Sequence, residues 1–122
     1  MPNPMLTIQL PDGSIALSLP VEAVARLRTE LQDLKARLSA VAAEAMPKTD
    51  PDGALVRTKP KPQEPWEYQH VGDVFVEVFC NPNIWATPFA AKVLLTVRDK
   101  QIKLTTEVSL SRLLEDVSAF LE

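Results

Sequence analysis

The residue types that carry most enzyme chemistry are scarce in this chain of 122 residues. It contains one histidine, His70, and one cysteine, Cys80. A zinc site needs three or four Cys, His or carboxylate ligands, and the chain cannot supply the usual combinations. A nucleophile pair of Cys80 with His70 would need both side chains adjacent in space and a third group to orient the histidine. Cys80 continues an alternating row of valines, which favours a small buried thiol instead.

A carboxylate pair is the second candidate for catalysis. Asp73 and Glu77 are four residues apart in a segment that alternates like a β-strand. In a strand they would share one face at roughly 13 Å, with Phe75 between them. Glycosidase carboxyl groups lie about 5 to 9.5 Å apart, so this spacing does not suit that chemistry. The three glycines are scattered and cannot form a phosphate-binding loop. We therefore expect no enzyme activity, no cofactor and no metal site.

Composition narrows the class of protein further. Hydrophobic residues make up 46% and charged residues 24% of the chain, which are values of a globular domain. The net charge of -3 argues against nucleic-acid binding, because phosphate contacts need a concentrated basic face. A single cysteine excludes an internal disulfide and fits a reducing compartment. The N-terminus lacks signal-peptide regions, and no apolar run reaches the roughly 18 residues of a membrane span. We expect a cytoplasmic protein without membrane insertion.

The clearest periodicity lies in the first half of the chain. Apolar residues recur there at intervals of three and four, at Val24, Leu27, Leu31, Leu34, Leu38 and Val41. This heptad pattern predicts a helix over residues 21–45 that buries one stripe. Pro20 suits its first turn, and Ser18 is a candidate cap. The stripe can pack on the protein's own sheet, or it can form a homodimer through Leu27, Leu31, Leu34 and Leu38, and the sequence leaves both alternatives open.

The remaining patterns predict an α+β fold with an antiparallel sheet. Residues 1–46 hold a hairpin and the long helix, residues 47–65 form a linker with five prolines, and residues 66–122 hold strands and a helix. We expect these parts to form one combined domain. The sheet should contain two hairpin-type pairs and one further strand. Ser109 caps a C-terminal amphipathic helix whose apolar stripe runs from Leu110 to Leu121.

Aromatic residues cluster in one part of the sequence. Six of the seven lie within 24 residues, at Trp66, Tyr68, Phe75, Phe79, Trp85 and Phe89. Aromatic side chains are enriched at interface hot spots, but they also fill cores, and both interpretations stay open here. Trp85 lies in a loop between Asn83 and Pro88, which makes it the best single candidate for a partner contact.

Part of the sequence resembles a known group of proteins. The stretch VFVEVFCNPNIWATPF at residues 74–89, with KLTTE at 103–107 and LLEDV at 113–117, is similar to small uncharacterised cyanobacterial proteins. The similarity covers about the last 50 residues and contains no functional motif, so it implies no site residue. It implies partners in a photosynthetic or carbon-fixing assembly, such as a carboxysome.

These observations lead to one functional hypothesis and two alternatives. The absent catalytic set and the surplus of apolar residues favour an adaptor, or a chaperone for assembly of a larger complex, that binds another protein through Phe75, Phe79 and Trp85. In the first alternative the same aromatic residues line a closed pocket of a small-molecule-binding regulatory domain. In the second, the chain is an accessory subunit of an enzyme.

Overall fold

The computed structural model describes residues 4–56 and 61–122. Within these ranges the elements are β1 (Met5–Leu10), β2 (Gly13–Ser18), α1 (Val21–Ala45), β3 (Lys48–Thr49), β4 (Leu55–Val56), β5 (Trp66–His70), β6 (Phe75–Cys80), β7 (Lys92–Arg98), β8 (Lys103–Ser109) and α2 (Leu110–Leu121). The predicted α+β class is confirmed. Neither helix in the described ranges is both long and apolar enough to cross a membrane.

The main sheet is a four-stranded antiparallel meander in the order β5-β6-β7-β8. Strand β5 was not predicted as a strand separate from β6, although Trp66 and Tyr68 alternate with polar residues. A turn around Gly72 divides the two strands, and Trp66 lies opposite Cys80 in the ladder. The inner face of the sheet carries a buried row of valines, and this row forms one core with both helices and the β1–β2 hairpin.

Helix α1 packs its heptad stripe inside the protein's own core. Its six apolar stripe residues are all buried, and Leu31 and Leu34 have no exposed surface at all. The sequence left open whether the stripe packs within its own protein or against a second copy, and in the structure it packs within its own protein. Leu27, Leu31, Leu34 and Leu38 are therefore not available as a dimer seam on the folded chain. Ser18 does not cap the helix either, because Pro20 is the N-cap residue and no side chain caps the first turn.

Helix α2 begins as the sequence predicts. The Ser109 hydroxyl accepts a hydrogen bond from the Arg112 backbone N–H at 3.3 Å, which satisfies one of the free donors of the first turn. The helix contacts α1, β8 and β1. Asp116 attaches it to the hairpin, since its carboxylate accepts a hydrogen bond from the Gln9 backbone N–H at 2.8 Å.

The proline-rich segment contains more structure than a linker. Strands β3 and β4 form a small hairpin around a turn at residues 50–53. The Asp50 carboxylate accepts hydrogen bonds from the backbone N–H groups of Asp52 and Ala54, and Gly53 takes a positive φ of 85°. Positive φ is easily reached by glycine, which explains its place in this turn. Residues 57–60 of the predicted linker lie outside the described residues.

Candidate protein-binding surfaces

The residues considered first for catalysis do not converge in the structure. Cys80 is buried at the end of β6, where burial raises the pKa of its thiol against smaller opposing effects of the Trp85 indole and the Arg37 guanidinium. His70 lies at the other end of the sheet, because it ends β5, which runs antiparallel to β6 with Trp66 opposite Cys80. Asp73 lies in the turn before β6, so it does not share a strand with Glu77. The described residues contain no group of three or more His, Cys, Asp or Glu that could hold a metal ion.

The aromatic cluster divides between three places. Trp66 and Tyr68 are buried in the core, so they cannot contact a partner of the folded chain. Phe75 and Phe79 alternate with the buried valines of β6, which places them on the opposite side of the sheet from the helices. The last two members of the cluster lie in the loop between β6 and β7 and are described below.

Tyr68 shows why β5, the first strand of the four-stranded sheet, belongs to the core. Its hydroxyl donates a hydrogen bond to the Ala23 carbonyl oxygen of α1 at 3.0 Å. The Arg26 guanidinium stacks on its ring at 4.9 Å from the centroid. Burial raises the pKa of the Tyr68 hydroxyl, and Arg26 partly opposes this rise. Tyr68 thus joins the edge strand to α1 and is a structural residue.

The outer side of the four-stranded sheet is the first candidate surface, which we call the open face. No helix or hairpin in the described ranges packs on it. The register places its side chains in three rows across the strands. The rows are Glu67, Phe79, Leu94 and Glu107; Gln69, Glu77, Thr96 and Thr105; and Phe75, Arg98 and Lys103.

Apolar side chains occupy the middle of the first row and one end of the third. Phe79 and Leu94 form a cross-strand pair, and Leu94 is 43% exposed. Phe75 pairs with Arg98, whose guanidinium stacks on the ring at 4.4 Å from the centroid. An antiparallel sheet commonly leaves one face in water, but that face is then mostly polar. Two phenylalanines and a leucine there give the open face an apolar character.

Charged side chains lie at both ends of the open face. The row of Phe79 and Leu94 is flanked by Glu67 and Glu107, and Glu107 forms an ion pair with Lys92 at 3.7 Å. The opposite end carries Arg98 and Lys103. Because Lys92 lies on the same face and balances Glu107, the clearest requirement on a partner that covers the whole face is for acidic groups beside Arg98 and Lys103.

The loop between β6 and β7 is the second candidate surface. It is held at its base, where the Gln63 backbone N–H donates to the Asn83 side-chain oxygen at 2.7 Å and the Asn83 amide donates back to the Gln63 carbonyl oxygen at 2.8 Å. Trp85 is half-buried against the core, with its indole N–H near the Cys80 thiol but in no hydrogen-bond geometry. Phe89 is 80% exposed.

The exposure of the two loop aromatics is the reverse of their predicted ranking as partner contacts, although partner contact itself stays a prediction. Trp85 was the first choice for a partner contact, but much of its side chain is used to anchor the loop. Phe89 is the exposed one, although Pro88 before it and Ala91 after it are both buried. Leu94 was not singled out from the sequence, although its position on a valine-rich strand, out of phase with Val93 and Leu95, could have shown it.

Comparison with known proteins adds no further constraint. The chain matches no protein-family model, no curated protein and no solved structure.

Proposed function

We propose that this protein is a non-enzymatic adaptor or assembly factor that binds a partner protein through the open face. The observation that supports this proposal is the row of Phe79 and Leu94 on a sheet face that no described element covers. Removal of such apolar area from water by a partner favours binding by about 25 cal/mol per Å², before the entropy costs of association are subtracted.

The position of the other side chains suits a rigid binding platform. Each residue of the open face lies on a strand with at least one hydrogen-bonded neighbour, so little conformational entropy is lost on binding. Glu77 accepts a hydrogen bond from the Gln69 amide at 2.7 Å, and Thr96 and Thr105 contact each other at 3.4 Å. These polar contacts lie between the row of Phe79 and Leu94 and the row of Phe75, and they would favour a partner with matching polar groups.

A small-molecule-binding domain is supported less well. That alternative requires the aromatic residues to line one closed pocket. In the structure Trp66 and Tyr68 lie on the inner side of the sheet, whereas Phe75 and Phe79 lie on the outer side. The sheet itself separates the two pairs, so they cannot line the same pocket.

Site-specific photo-crosslinking tests the proposed surface directly. A photoreactive phenylalanine analogue replaces Leu94 on the open face, and in a matched control it replaces Ile102, an exposed apolar residue that precedes β8. After irradiation in native extract, position 94 should give a discrete adduct with one protein that position 102 does not give. Mass spectrometry then identifies that protein.

Purified components complete the test. The double variant Phe79→Thr and Leu94→Thr removes the apolar row and keeps strand-forming residues, and it should weaken binding of the identified protein at least about tenfold. The control double variant Leu55→Thr and Ile102→Thr removes two exposed apolar side chains elsewhere and should bind as the wild type does. Equal binding by both double variants would remove the open face from the proposed function.

A further inference from the structure

A second surface combines a protruding apolar side chain with a depression that could receive one. The depression lies where α1, α2 and the loop between β6 and β7 meet, and Phe89 is one of the residues that line it. Leu110 and Leu114 of α2 and Pro88 of the loop give it an apolar lining. Phe89 is the one aromatic residue of the chain that the structure leaves mostly exposed. It therefore lies beside a space suited to another apolar side chain.

The charges at this depression have opposite signs on different elements. Lys35 lies on α1 and Glu115 lies on α2, and the two do not form an ion pair within the chain. A two-fold axis places a group that lies away from the axis opposite a different group of the same surface in the second copy, and it does so twice. Such an axis can bring Phe89 of one copy into the depression of the other and Lys35 opposite Glu115 twice.

We infer that the Phe89 surface, formed by Lys35, Pro88, Phe89, Leu110, Leu114 and Glu115, binds a second copy of this chain. The occupant follows from self-complementarity: the surface carries both the protruding side chain and its depression, and both members of an ion pair. Two chains with a net charge of -3 repel each other, and Lys35 of each copy reduces this repulsion where the two copies meet. This inference is independent of the open face.

Charge reversal distinguishes a second copy from every other occupant. Lys35→Glu places two acidic groups on the surface, and Glu115→Lys places two basic groups there. Each variant alone should dissociate at least about tenfold more readily than the wild type, because like charges then face each other twice. An equimolar mixture of the two variants pairs opposite charges again and should form a heterodimer. Sedimentation velocity over a concentration series measures all three samples.

Two further variants locate the interface. Phe89→Ser should raise the dimer dissociation constant at least about tenfold, and its circular dichroism should match the wild type because the side chain is exposed. The double variant Phe79→Thr and Leu94→Thr on the open face should leave the dimer intact. A wild type that stays monomeric at the highest concentration overturns the inference. A mixture that stays monomeric, or a dimer lost through the open-face variant and kept in Phe89→Ser, overturns it as well.

Discussion

Replacing Leu34 by alanine tests whether the heptad stripe of α1 belongs to the core. Leu34 has no exposed surface, so the change removes three fully buried carbon atoms. At about 0.8 kcal/mol per buried carbon, the lost transfer free energy is about 2.4 kcal/mol. The cavity that remains adds to this loss, and we expect the free energy of unfolding to fall by about 3–4 kcal/mol in total. This is a large part of the roughly 5–15 kcal/mol that stabilises a domain.

Urea unfolding followed by circular dichroism measures this loss, and thermal unfolding should show a decrease in melting temperature of about 10–15 °C. The matched control is Gln32→Ala, an exposed position on the same helix, which should change stability by less than about 0.5 kcal/mol. The difference between Leu34→Ala and wild type should stay constant when the protein is diluted. A loss below about 1 kcal/mol, or one that disappears on dilution, would show that the stripe is an interface between chains.

Two further predictions concern the single side chains Tyr68 and Asp116. Tyr68 is the one tyrosine of the chain, and burial raises its pKa above the ordinary value of 10.0 in the folded state only. The contribution of this group to stability is therefore present below pH 10 and is lost as the pH rises through the folded pKa. Tyrosinate absorbance of the folded protein should therefore appear at higher pH than in urea, and a folded titration that coincides with the unfolded one would refute this. Asp116→Ala removes the acceptor of the Gln9 N–H and should cost about 1–3 kcal/mol, with faster hydrogen exchange across β1 but not across β6. Unchanged exchange at Gln9 would contradict the role assigned to Asp116.

The elements that could be predicted from the sequence are those with a strong period. The intervals of three and four residues in α1 and α2 identify both helices, and Ser109 identifies the start of the second. Strands β7 and β8 alternate cleanly around a short turn and were predicted as a pair. In each case the local pattern and the tertiary structure require the same residues to be buried.

Two features could not be predicted from local pattern alone. Trp66 and Tyr68 were assigned both a core and an interface role, because alternation shows that two residues share a face but not which face the helices cover. The relative exposure of Trp85 and Phe89 was equally undetermined, since both are aromatic residues of the same irregular loop. Their burial depends on the meeting of α1, α2 and the loop, which brings together residues distant in sequence.

The edges of the sheet bear on how this protein can associate. An open edge strand offers unpaired backbone groups to another chain, and proteins commonly protect such edges. At the β5 side the Arg26 guanidinium donates to the Gln69 carbonyl oxygen at 2.6 Å, and the Arg37 guanidinium donates to the Glu64 carbonyl oxygen at 2.7 Å. At the β8 side the end of β1 lies alongside the strand. Arginines thus cover one edge, and the β1–β2 hairpin adjoins the other. Addition of a strand at either edge would first require the arginine hydrogen bonds or the contact between β1 and β8 to break. Association through side chains of the open face and the Phe89 surface requires no such rearrangement, which is why both proposals place their partners on faces and not on edges.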